Sequence, residues 1–127
     1  MSLIIGTKKK QKAHNDKQRP FFHEQEVWFC SLGVNIGFEQ DGRGDDFLRP
    51  VLVLKKFNNE IFWALPMTKN AKSGRYYHIV SLNERESSAL ILSQIRLVDA
   101  KRLAYKIGFV EMQDFVAIKE KIRQLLV

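Results

Sequence analysis

Three polar segments of the chain carry side chains that could bind an anion. Arg49 begins an otherwise apolar run over 47–56, so its guanidinium must either reach the surface or pair with an anion. The stretch 37–46, GFEQDGRGDD, is a charged loop of the kind that a rigid scaffold projects into a substrate site. A hydrophilic connector without a function would have the same composition. Residues 68–75, TKNAKSGR, hold three cations and no acid. If the strands before these segments pair, the cations lie side by side.

Several common active-site types are excluded by inspection. The chain has no GxxxxGK(S/T) phosphate loop, no GxSxG elbow and no HExxH zinc helix. His14, His23 and His78 are far apart along the chain, so we expect no metal site, and no cofactor is indicated. Cys30 lies in an apolar run, where a small core residue is a better interpretation than a nucleophile. A single cysteine cannot form an internal disulfide, which is typical of a cytoplasmic protein.

The net charge of +7 is concentrated at the N-terminus of the 127-residue chain. Residues 1–20 carry six basic side chains against one acid, which leaves only about +2 for the rest. We therefore expect a basic disordered tail over 1–20, either inert or in loose contact with RNA, and one domain over 21–127. With 45% hydrophobic residues the domain can build a core, and no apolar run is long enough to cross a membrane.

The elements that would position these residues are short strands followed by one helix. Six β-prone runs separated by polar turns favour a small barrel or a strongly twisted sheet. Apolar residues spaced by three and four over 112–127 predict an amphipathic helix packed on it, and a short helical turn is possible over 99–103. The predicted strands are 26–32, 47–56, 60–65, 76–82, 89–92 and 94–98.

Four sequence blocks, in order, resemble the PemK/MazF family of toxins from type II toxin–antitoxin systems. They are IGFEQDGRGDDFLRPVLVL, FWALPMT, SALILSQIRLVDAKRLAYKIG and the terminal helix, and the resemblance as a whole covers about 26–126. The resemblance implies a mainly β fold with a C-terminal helix, an SH3-like small barrel of the MazF/CcdB type. It also implies a cytoplasmic homodimer that acts as an mRNA interferase, a metal-independent and sequence-selective endoribonuclease that inhibits growth.

The resemblance also assigns roles to individual residues. Cleavage would use the RNA's own 2′-hydroxyl, leaving a 2′,3′-cyclic phosphate and a 5′-hydroxyl. Arg49 matches the catalytic arginine, Thr68 the threonine that hydrogen-bonds the scissile phosphate, and Glu39 is the candidate proton acceptor. The remaining predicted RNA-binding residues are Gln40, Arg43, Lys69, Lys72, Arg75, Gln94 and Arg96.

The implied partners are single-stranded RNA, a cognate antitoxin, and operator DNA only in complex with that antitoxin; no membrane is implied. Three positions depart from one branch of the family, which has a histidine, an arginine and an acid where this chain has Phe38, Ile91 and Ser93. Two alternatives therefore stay open. One is a catalytically weak relative that only binds nucleic acid or antitoxin, and the other is a generic SH3-like interaction domain.

Overall fold

The computed structural model describes residues 18–32, 48–70, 73–81 and 87–127. These residues form seven strands and one α-helix. The strands are β1 (Glu26–Ser31), β2 (Leu48–Lys56), β3 (Ile61–Thr68), β4 (Tyr77–Val80), β5 (Ser88–Ile91), β6 (Arg96–Asp99) and β7 (Leu103–Phe109), and the helix is α1 (Met112–Leu125). A 3₁₀ turn over Ala100–Arg102, capped by the Asp99 side chain, joins β6 to β7.

The strands pair antiparallel in the order β4-β5-β3-β2-β1-β7, with β6 added to β3. The β3 strand pairs β6 over Ile61–Ala64 and then changes partner to β5 at Met67 and Thr68, so the sheet turns through β3. Within the described residues the sheet is not closed, because β4 and β7 are its two end strands. The mainly β fold with a C-terminal helix is nevertheless the one that the sequence predicts.

The β2 strand is buried on both faces, which explains its unbroken VLVL run. Successive residues of a strand point to opposite faces. Leu52 and Leu54 join the cluster beneath α1, where Phe115 and Ile118 are buried. Val51 and Val53 join a second cluster on the other face, which contains Trp28, Cys30, Phe62 and Leu103. A strand enclosed in this way provides a rigid base for the residues at its ends.

Residues before β1 complete the second cluster. Phe22 is fully buried and lies 5.1 Å from Phe62 between ring centroids. Lys56 Nζ donates to the Phe22 carbonyl at 2.8 Å and lies 4.5 Å from the centre of its ring. Arg19 forms a two-pronged ion pair with Asp99, with both N–O distances at 3.1 Å. Arg19, which lies inside the predicted tail, is therefore in contact with the domain, and residues 1–17 of that tail lie outside the described part.

One strand was missed by the sequence analysis. In β7 only Leu103 is buried, and Tyr105, Ile107 and Phe109 are exposed, so the strand lacks the half-buried alternation that predicts one. Its pairing with β1, interrupted by two irregularities in register, supplies the hydrogen bonds that define it. The chain turns at Asn58 between β2 and β3, where Asn58 Oδ1 accepts from the backbone amides of Glu60 and Ile61 at 2.7 and 3.0 Å.

Candidate functional site

A groove of about 870 Å³ lies where β2 begins and β3 ends. Five of the residues predicted for RNA binding or catalysis line it. They are Arg49, Thr68, Lys69, Gln94 and Arg96. The rest of the wall is Asn70 together with the apolar side chains of Phe29, Leu32, Leu48, Pro50, Pro66, Met67 and Ile91. Residues that are distant in sequence, from β1 to β6, therefore share one surface.

Strand register brings Arg49 and Thr68 together. Val51 pairs with Pro66 across β2 and β3, and continuing that register by two residues places Arg49 level with Thr68. The other neighbour of Arg49 is Cys30 on β1. Val51 to Leu54 of β2 are buried, whereas Arg49 near the start of the strand is exposed, so its guanidinium stays in solvent. A cationic fork thus projects from the rigid end of a core strand.

Thr68 is half-buried and its hydroxyl retains a proton to donate. Its Oγ1 accepts a hydrogen bond from the backbone amide of Asn70 at 3.2 Å. That bond uses a lone pair and fixes the turn that follows β3. The hydroxyl hydrogen can therefore point into the groove, toward an oxygen atom of a bound anion.

Gln94 and Arg96 reach the groove from the opposite side. Gln94 lies in the turn after β5, where its backbone amide donates to the Ile91 carbonyl at 3.2 Å. Arg96 opens β6 and pairs with Ala64 of β3. Both side chains are exposed. The groove wall contains Arg49, Lys69 and Arg96 but no aspartate or glutamate from the described part of the chain. Its electrostatic potential therefore favours an anionic ligand.

The structure does not bring every predicted residue to the groove. Arg75 is exposed and packs over the Tyr76 ring at 5.5 Å, and it is not among the residues that line the groove. Glu39, Gln40, Arg43 and Lys72 lie outside the described residues, and so does Phe38. Ile91 does line the groove, at the position where one branch of the family has an arginine. Sequence reasoning missed Phe29, since nothing in an apolar strand marks which residue will border a groove.

Other ionisable groups serve the fold. Burial tends to raise the pKa of Glu26, but hydrogen bonds from the Trp28 indole and from the backbone and ring of His23, together with Lys106, hold it below its ordinary value. His78 Nε2 lies 3.0 Å from Asp114 Oδ1 and ties β4 to α1.

Across the described ranges, no three His, Cys, Asp or Glu side chains cluster as metal ligands would. No described helix is long and apolar enough to span a membrane.

The family becomes clear when the whole chain is compared with known proteins. Residues 23–126 match the model of the PemK-like, MazF-like toxins of type II toxin–antitoxin systems. The chain belongs to this toxin family. The match covers almost all of the described domain, so the sequence resemblance is confirmed at the level of family and fold. No curated protein matches the chain in sequence.

Solved structures of two MazF toxins and of an endoribonuclease have the same fold at low sequence identity. The Mycobacterium tuberculosis toxin MazF-mt6 is 17% identical, with a TM-score of 0.61, over 80% of this chain and 95% of that one. MazF from Deinococcus radiodurans is 18% identical, with a TM-score of 0.61, over 86% and 97%. An endoribonuclease in complex with its cognate antitoxin, from a mycobacterial species, is 12% identical, with a TM-score of 0.60, over 81% and 92%.

Proposed function

We propose that this toxin is a sequence-selective endoribonuclease that cleaves single-stranded RNA, mRNA above all, without a metal ion. The observation that carries the proposal is the alignment of Arg49 with Thr68 in a groove whose described wall is cationic. A guanidinium fork and a hydroxyl donor side by side suit a phosphate group. The apolar wall beside them suits the bases of RNA, which bind by stacking on side chains rather than by charge pairing.

RNA supplies the nucleophile for this reaction. The 2′-hydroxyl oxygen attacks the adjacent phosphorus, the P–O5′ bond breaks, and the products are a 2′,3′-cyclic phosphate and a 5′-hydroxyl. The 2′-proton passes to a base, for which Glu39 is the candidate, and the leaving 5′-oxygen takes a proton from water. Since no external nucleophile has to be generated, a bound metal is not needed for the step.

Arg49 and Thr68 would act on the charge that develops in the transition state. The phosphorane carries more negative charge on its non-bridging oxygens than the starting diester, so donors fixed at that position lower the barrier. Arg49 would hold two of these oxygens and Thr68 would donate to one. Lys69 and Arg96 would bind flanking phosphates, and Gln94 would organise the groove wall.

The proposal includes the assembly and regulation that are typical of the family. We infer a cytoplasmic homodimer, inhibited by a cognate antitoxin that competes for the groove and binding operator DNA only with that antitoxin. One solved mycobacterial relative is an endoribonuclease bound to its cognate antitoxin, and this supports the inference.

A second candidate is a binding module with weak catalysis. Ile91 in the groove favours it, because an apolar side chain stands where one branch of the family has a cation. Expression in bacterial cells separates the two candidates. The toxin should arrest growth, and Arg49→Ala should abolish the arrest at equal protein level. Arg123→Ala, which removes an exposed arginine from the end of α1, should not. Arrest that survives Arg49→Ala would contradict the catalytic proposal.

A further inference from the structure

An aromatic pair borders the groove on the side away from Arg96. Phe29 of β1 is half-buried and lines the groove, and its ring centroid lies 5.1 Å from that of Tyr105 on β7, with an interplanar angle of 43°. Tyr105 pairs with Phe29 in register and is 55% exposed. The Tyr105 ring therefore extends the apolar wall of the groove onto the outer edge of the sheet.

The irregular register of β7 separates Tyr105 from the end of the strand. Tyr105 pairs with Phe29 and Phe109 pairs with Glu26, and these two β1 residues point to opposite faces because they are three positions apart. Phe109 therefore lies on the face opposite to Tyr105. A large apolar ring in contact with water is unfavourable unless a ligand covers it, and the exposed Tyr105 ring adjoins the groove. A ligand that fills the groove can therefore continue onto this ring.

A cation stands beside this aromatic surface. Arg102 Nη1 donates to the Ser31 carbonyl at 3.1 Å, which holds the guanidinium at the end of β1. The next residue, Leu32, lines the groove. The remaining guanidinium donors are placed to meet an anion that leaves the groove in this direction. Aromatic rings alternating with cations are the surface that single-stranded nucleic acids bind, by stacking bases and contacting phosphates.

We propose that Tyr105, supported by Phe29, is a base-stacking residue for a nucleotide next to the scissile phosphate, and that Arg102 contacts the phosphate of that nucleotide. The inference rests on the proposed function and extends its site beyond the residues that the family resemblance assigns. Tyr105, Phe29 and Pro50 lie on three neighbouring strands in register, which spans about 10 Å at the usual strand spacing. The stacked base contributes affinity and helps to choose the sequence that is cut.

The test compares two probes that cannot be cleaved. One is a mixed-sequence single-stranded RNA of about 12 nucleotides, fully 2′-O-methylated, and the other is an abasic 2′-O-methylated strand of the same length. Fluorescence anisotropy with the full chain gives the Kd for each. Tyr105→Ala should raise the Kd for the base-bearing strand about tenfold or more and leave the abasic strand unchanged. Tyr105→Trp should restore binding, and Arg102→Ala should weaken both probes.

Phe57→Ala is the matched control, since Phe57 is 45% exposed and makes an equivalent 5.1 Å contact with Trp63 outside the groove. It should change neither Kd. An unchanged Kd for Tyr105→Ala, or an equal loss on both probes, would overturn the proposal. Light scattering measures the oligomeric state of each variant. The proposal would also be overturned if Tyr105→Ala turned a dimer into a monomer while the variant still bound the base-bearing strand more tightly than the abasic strand. Cleavage of unmodified RNA by the wild type is scored separately, so a failure of this inference is distinguishable from a failure of the proposed function.

Discussion

Arg49 and Thr68 line the same groove from adjacent antiparallel strands, each two residues beyond the Val51–Pro66 pair that ends the β2–β3 register. Neither position depends on a flexible segment, because β2 is buried on both faces and β3 pairs on both edges. A guanidinium and a hydroxyl fixed in this way need little reorganisation to meet a phosphate. That preorganisation is what electrostatic catalysis of phosphoryl transfer requires.

Thr68 gives a prediction about a single hydroxyl group. Thr68→Val keeps the shape of the side chain but removes the donor, so the cleavage rate should fall about 10²-fold. It also removes the acceptor of the Asn70 amide, so the turn after β3 should be weakened, and Thr68→Ser controls for that loss. Thr68→Ser keeps the hydroxyl and should retain most of the activity. Single-turnover cleavage of a short RNA measures both variants. Equal rates for Val and wild type would show that the hydroxyl takes no part in the reaction.

Phe22 gives a prediction about the segment before β1. Its ring is fully buried against Phe62, so Phe22→Ala should lower the free energy of unfolding by about 3–5 kcal/mol. Phe21→Ala is a direct control, because the neighbouring ring is 83% exposed and its removal should cost little. Urea denaturation followed by tryptophan fluorescence measures the difference. Similar losses for the two variants would mean that the segment does not complete the core.

Glu26 gives a prediction about pH. Its side chain is only 14% exposed, and its Oε1 accepts from the His23 amide and the Trp28 indole, both at 2.9 Å. Its folded-state pKa lies below the ordinary value of 4.5, so the ionised group stabilises the fold above that pH. The contribution is lost as pH falls through the folded-state pKa.

Glu26→Gln should therefore destabilise the protein by about 1–2 kcal/mol at neutral pH and flatten the acid limb of its stability curve. Glu111→Gln is the control, since the Glu111 side chain makes no capping hydrogen bond at the start of α1. Urea midpoints measured between neutral and acid pH report both effects. An acid limb that keeps its slope in Glu26→Gln would show that other carboxylates cause it.

The sequence predicts the elements of this fold well where burial is regular. The VLVL run of β2 and the spacing of Phe115 and Ile118 in α1 both follow from which faces are covered. The β7 strand was missed because its side chains mostly face solvent, so pairing with β1 alone defines it. The burial of Phe22 could not be predicted either, because the residue follows a basic segment and belongs to no periodic pattern of apolar residues.

The candidate site was predictable in part. Arg49 stands out as a charge at the start of an apolar strand, and the family resemblance adds Thr68, Gln94 and Arg96, which the groove brings together. Strand register decides which residues of different strands become neighbours, and composition does not encode register. That is why Tyr105, which is remote in sequence from Phe29, could not be placed beside it beforehand.

The central claim is that the groove around Arg49 cuts RNA at its own 2′-hydroxyl, and mapping both ends of the fragments tests it most directly. Purified full chain is incubated with single-stranded RNA in the presence of a chelator, and the termini are identified chemically. The account predicts 2′,3′-cyclic phosphate and 5′-hydroxyl ends at a recurring short sequence, with the rate lowered by several orders of magnitude in Arg49→Ala. Fragments with 5′-phosphate ends, or undiminished cleavage by Arg49→Ala, would contradict it.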